Sequence, residues 1–118
     1  MSYDITIRSD ENYSEKTDPE SLRAYLRSIP DVEPNGKIGF LYGRSKSLYM
    51  ELDLEEVDPE GDWIEESEQV NCISVHIPYA FLTTENQNLY LSVVLHIAHH
   101  LNWQAIDAQT GSRIAAVL

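Results

Sequence analysis

The sequence predicts an α+β fold. The expected form is a two-layer sandwich with two helices on one face of a mainly antiparallel sheet of about four to six strands, in the order β-α-β-β-β-α-β(β). Three observations lead there. Segments such as "YDITIR" and "SLYMELDL" alternate apolar and polar residues, the period of a half-buried strand. Two other segments carry apolar stripes at helical spacing, each with plausible end signals. Turn chemistry separates the elements, and no repeat, linker or low-complexity tract divides the 118 residues, so residues 1–118 read as one domain.

The first strand places Tyr3, Ile5 and Ile7 on one face and Asp4, Thr6 and Arg8 on the other. After the polar loop "SDENYSEKT", the segment "DPESLRAYLRSIP" has the marks of a helix. Asp18 can accept from first-turn amides, Pro19 suits the first helical position, and Glu20 complements the positive end. Leu22, Tyr25, Leu26 and Ile29 form one stripe, with Arg23 and Arg27 on the opposite face and Pro30 at the stop. "PNG" at 34–36 reads as a turn, and "KIGFLYG" with "SLYMELDL" reads as an antiparallel hairpin joined by "RSKS". Leu48, Met50, Leu52 and Leu54 then face the core, and Tyr49, Glu51 and Asp53 face water. "QVNCISVHIPYAFL" resumes strand character, with Pro78 marking either its end or a sheet edge. Tyr90, Val94, Ile97 and Leu101 give the second helix its stripe, and Asn102 suits its C-cap. A short strand, a turn at Thr110-Gly111 and a final strand or tail complete the chain.

The strongest compositional signal is charge. The chain carries a net charge of −12, and from Ser47 to Ser112 it contains neither Lys nor Arg. Ten of the eighteen residues in "ELDLEEVDPEGDWIEESE", from Glu51 to Glu68, are acidic. Such a balance argues against direct binding to nucleic acid phosphates or to an anionic membrane, since each contact would have to overcome repulsion. No apolar run reaches the roughly 20 residues of a membrane span. The N-terminus has no basic-then-apolar leader, and a single cysteine, Cys72, has no internal disulfide partner. A cytoplasmic protein is therefore expected.

Several chemistries can be weighed on named residues. With Gly61 at loop position six, Glu56, Asp58, Glu60 and Asp62 imitate an EF-hand. Position twelve is Ser67 where a bidentate Glu is required, and Pro59 stands at position four, so the motif is rejected. Glu51 and Asp53 share a strand face about 7 Å apart, a separation that an acid/base pair could use, although paired acids on a wet strand face are common. Cys72, Ser74 and His76 also share a face, but that spacing is too long for a nucleophile to be activated by its base. His96, His99 and His100 cluster on the second helix as candidate metal ligands. The zincin pattern fails because Ile97, not Glu, follows the first histidine, and the same side of the helix carries Asn88 and Ser92, as a solvated face would. Trp63 and Ile64 sit between Asp62 and Glu65, either as an apolar anchor in a negative field or folded back over the core.

The segments "LHIAHHLNWQAIDAQTG" and "FLYGRSKSLYMELDL" resemble the "LGW…D-Q-G" ending and the aromatic-rich hairpin of small bacterial proteins of unknown function. Some of those are assigned as immunity proteins of polymorphic toxin systems. The resemblance covers about half the chain and its motifs are short. It implies a small, acidic, single-domain cytosolic binder without catalysis, which sits on a toxin domain, commonly a nuclease, and masks its basic active site.

The expectation is thus a non-catalytic acidic binding protein for a basic protein partner, without a cofactor. Its partner-binding residues would be Glu51, Asp53, Glu55, Glu56, Asp58, Glu60, Asp62 and Trp63. Two alternatives stand beside it. One is a small metal-binding domain or metal-assisted enzyme using His96, His99 and His100. The other is a homo-oligomeric adaptor, such as a homodimer, joined through Tyr79, Phe81 and a sheet edge near Pro78.

Overall fold

The computed structural model describes residues 1–36, 38–64 and 68–114. Lys37 of the expected hairpin, residues 65–67 of the acidic segment and the last four residues of the tail lie outside them. The elements run β1 (Ser2–Arg8), α1 (Pro19–Ser28), β2 (Val32–Asn35), β3 (Gly39–Tyr42), β4 (Met50–Glu55), β5 (Cys72–Pro78), α2 (Gln87–Leu101), β6 (Gln104–Asp107) and β7 (Arg113–Ile114). The strands form one sheet in the order β2-β3-β4-β5-β1-β6-β7, and every neighbouring pair is antiparallel.

The helix ends follow the sequence chemistry. The Asp18 carboxylate accepts from Ser21 N at 2.9 Å, capping α1 ahead of Pro19. Asn102 closes α2 in the left-handed conformation, with its N–H directed to Ala98 O and His99 O. The β3–β4 hairpin forms as expected, linked by a 3-10 turn at Arg44–Lys46.

Seven described strands exceed the expected number, and the addition is β2. Its residues "VEPN" combine a proline with an Asn-Gly turn signal, so they read as loop. They nonetheless pair with β3 from Val32↔Tyr42 to Asn35↔Gly39. Proline is tolerated because β2 is an edge strand with one side unpaired. Pro78 ends β5, but β5 lies between β4 and β1. The alternative placing of Pro78 at a sheet edge is therefore corrected: β5 is an interior strand, paired with β4 as far as His76 and with β1 as far as Pro78.

The register puts one row of side chains from every long strand on a single face. Ile5 and Ile7, Phe40 and Tyr42, Met50, Leu52 and Leu54, and Ile73, Val75 and Ile77 are all buried there with Leu22 and Leu26 of α1 and Tyr90, Val94 and Ile97 of α2. Tyr90 is fully buried, and its hydroxyl donates to Phe81 O at 2.8 Å while accepting from Tyr49 N at 3.2 Å. It thereby ties α2 to the approach to β4 and to the turn after β5. Among the described residues no helix is long and apolar enough to cross a membrane.

Candidate functional site

The face of the sheet turned away from the helices holds the alternate residues. On β4 these are Glu51, Asp53 and Glu55; on β5, Cys72, Ser74 and His76; on β1, Asp4, Thr6 and Arg8. Cross-strand pairing sets them in rows: Glu51–His76–Asp4, Asp53–Ser74–Thr6 and Glu55–Cys72–Arg8. Four carboxylates thus share this face, three on β4 and Asp4 on β1, with β5 between them.

Three of the four, Asp4, Glu51 and Glu55, are positioned by a hydrogen-bonding neighbour. Tyr49 donates its hydroxyl to Glu51 Oε1 at 2.9 Å, and Ser74 donates to Glu55 Oε1. His76 Nδ1 lies 2.7 Å from Asp4 Oδ1, which also accepts from Ser2 Oγ at 2.7 Å. Asp53 stands opposite Gly39, where an added Cβ would lie 2.6 Å from Asn35 O and 3.1 Å from Asp53 Oδ1. A side chain at 39 would crowd both the edge strand and the carboxylate.

The titration of these groups follows their surroundings. Partial burial raises the Asp53 carboxyl above its ordinary value; His76 pulls it back, and Glu51 and Glu55 push it up again. Partial burial also pushes Asp4 upward, but the hydrogen bonds from His76 and Ser2 prevail and hold it below its ordinary value. Burial, with help from Glu55, pushes the Cys72 thiol up to about 12, so it is an inert, buried thiol at neutral pH. Ser74 donates to the Glu55 carboxylate rather than to the His76 imidazole, so the nucleophile–imidazole pair that this strand face suggests does not form.

The acidic segment after β4 is a folded loop in its own right. Asp58 Oδ1 accepts from Glu60 N at 3.0 Å and from Asp62 N at 2.9 Å, forming a tight turn around Gly61. Glu56 pairs with Lys16 Nζ at 2.6 Å. The loop is pinned by Asn71, the buried polar side chain at the start of β5. Asn71 Oδ1 accepts from Val57 N at 2.8 Å, while Nδ2 donates to Val57 O at 2.8 Å and to Tyr13 O at 3.2 Å.

The eight expected partner-binding residues therefore fall into two groups. Glu51, Asp53 and Glu55 are on the open sheet face. Glu56, Asp58, Glu60, Asp62 and Trp63 belong to the loop, where Asp58 shapes the turn. Trp63 bridges to Val57 through its backbone and leaves its side chain 58% exposed, so it does not fold back into the core. With Ile64, Ile38, Leu54 and Val70 it lines a cavity of about 330 Å³ beside the start of α1. Arg23, expected on a wet helix face, also lines this cavity, and its Nε is shut from solvent without an acceptor among the described residues.

The histidines of α2 are exposed, as a solvated helix face would be. His100 stacks on Tyr25 of α1, with centroids 3.5 Å apart and rings 3° from parallel, and His96 lies on the same ring at 6.1 Å. His96 and His99 border a shallower depression of about 470 Å³ with Tyr42 and the Lys46–Asp31 ion pair. Among the described residues no three His, Cys, Asp or Glu side chains are grouped to hold a metal ion.

Sequence reasoning named the β4 acids but missed Asp4, Asn71 and Arg23. Alternation did put Asp4 on the wet side of β1, but its partner lies 72 residues away and depends on strand order. No family model, curated protein or solved structure matches this chain.

Proposed function

We propose that this chain is a non-catalytic acidic binding protein, an inhibitor of the immunity type that covers a basic surface on a toxin or nuclease domain. The observation that carries the reading is the open sheet face, where Asp4, Glu51, Asp53 and Glu55 are held by paired strands and by neighbouring hydroxyls and an imidazole. Carboxylates on a rigid sheet need little ordering on association, and their summed field steers a basic partner.

The test is a charge reversal. A variant carrying Glu51→Lys and Asp53→Lys, compared with the native protein as bait in extracts of the source cell, is expected to lose a partner that is also released by salt. The association rate of the purified pair should fall by about tenfold or more. A partner held equally by both baits, and unaffected by salt, would sink the reading.

A second reading, self-association, has its own observation. Tyr79, Phe81 and Leu89 are exposed, and Phe81 packs its ring 5.5 Å from that of Tyr49. The contact would run through side chains, since the backbone near Pro78 is paired. Light scattering that finds a monomer at working concentration removes it.

A further inference from the structure

The cavity beside α1 differs in kind from the acidic sheet face. Its walls are apolar on the sides given by Ile38, Leu54, Trp63, Ile64 and Val70. Three of these, Ile38, Trp63 and Ile64, are exposed large hydrophobics, so the sheet and helices leave them uncovered. About 330 Å³ is enough for one or two side chains or a small ligand. One wall is polar, given by the half-buried Arg23. Glu55 belongs to both regions, since it ends the acid row of β4 and lines the cavity. Glu60 and Asp62 are exposed on the loop that carries Trp63.

We infer that this cavity is an anchor site for the basic partner. It takes one aliphatic or aromatic side chain flanked by Lys or Arg, while a main-chain carbonyl of the same segment accepts from the Arg23 guanidinium. The inference rests on the proposed binding function and adds the sequence class of the bound segment. Charge decides the occupant. A carboxylate ligand could satisfy Arg23, but it would meet Glu55 and Glu56 in the same lining. A neutral carbonyl avoids that repulsion, and flanking cations meet Glu60 and Asp62. The apolar side chain supplies affinity where the surrounding acids supply rate and selectivity.

Three capped peptides test this by titration into the ¹⁵N-labelled full chain at low salt: a leucine between two pairs of lysines, a serine between the same lysines, and a leucine between two pairs of glutamates. The lysine–leucine peptide should bind about tenfold more tightly than the lysine–serine one, the worth of burying a single apolar side chain. Its shifts should centre on Trp63 and Ile64. The preference for leucine should vanish in Ile64→Ser. In Arg23→Met, which keeps an apolar wall, the lysine–leucine peptide should bind several-fold more weakly. Because Trp63 and Ile64 are exposed, the folded spectrum of Ile64→Ser provides the check that the variant is intact.

Equal binding of the two lysine peptides, with shifts along Glu51 and Asp53, would overturn the anchor while leaving the acidic-face reading standing. Tighter binding of the glutamate peptide would assign the cavity to an anion and overturn it too. Failure of both lysine peptides to bind would remove the anchor and the acidic-face reading together.

Discussion

The two faces of the sheet are made by the same strands, yet they obey different rules. On the helix side, Leu52 of β4 meets Val75 and Phe40, and all three are fully or almost fully buried. One residue along, Asp53 meets Ser74 and Gly39 on the open side. The covered face is held by close packing, in which any apolar group of the right shape serves. The open face is held by specific polar pairs, and partial burial, with like charges beside it, raises Asp53. Alternation predicts which residues go to which face but is silent on what the outward set does, because those interactions are set by neighbours from other strands.

The sharpest way to probe that contrast is to cut adjacent residues of β4. Leu52 is fully buried at the centre of the core. Leu52→Ala should lower unfolding free energy by about 3 kcal/mol, the transfer loss plus the cavity left behind. Urea unfolding followed by far-UV circular dichroism measures it. A loss no larger than that of a surface change would mean that the helix-covered face is loosely packed, and the distinction between the faces would fail.

Asn71 joins the two regions, since it sits at the start of β5 and holds the acidic loop. Asn71→Ala strips partners from both the N–H and C=O of Val57, itself buried, and should cost about 2 kcal/mol. The effect should be local before it is global. Amides of the loop, such as Asp58 N (bonded to Asp62 O) and Ile64 N (bonded to Glu56 O), should exchange hydrogen faster, while those of β1 and β5 keep their protection. Uniformly faster exchange across the sheet would show that the loop is no separate unit.

These particulars explain what was legible from the chain and what was not. The helix caps at Asp18 and Asn102 and the alternation of β1 and β4 were readable because they depend on residues a few positions apart. β2 escaped notice because its signal, a proline beside Asn-Gly, is a turn signal unless the strand is known to lie at an edge. The Asp4–His76 contact and the Asn71 clasp join segments far apart in sequence, and no local pattern foretells them. Tyr90 was readable as core, but its hydroxyl has two backbone partners that only the fold identifies. Arg23 was assigned to solvent by helical periodicity, yet it lines a cavity together with Trp63 and Ile64 of the distant acidic loop.

The smallest expected effect is the most telling for the open face, because its sign separates two carboxylates on one surface. Asp53 has a raised folded-state pKa, so between its ordinary and raised values the folded chain binds more protons than the unfolded one. Its ionisation therefore costs stability as pH rises through that window. Asp53→Asn should increase stability at neutral pH by about 0.5 kcal/mol, because a partly buried anion beside like charges is removed. The gain should shrink as pH falls through the raised value, vanish below the ordinary carboxylate range, and diminish in high salt. Asp4 runs the other way. Its lowered pKa contributes stability that is present above the ordinary value and lost as pH falls through the folded one, so Asp4→Asn should destabilise at neutral pH and approach neutrality in acid. Thermal unfolding of both variants across pH reads the two signs directly. If Asp53→Asn were destabilising at neutral pH, its carboxylate would be held by a favourable contact like those of its neighbours, and Asp53 would not be a strained charge available to a basic partner.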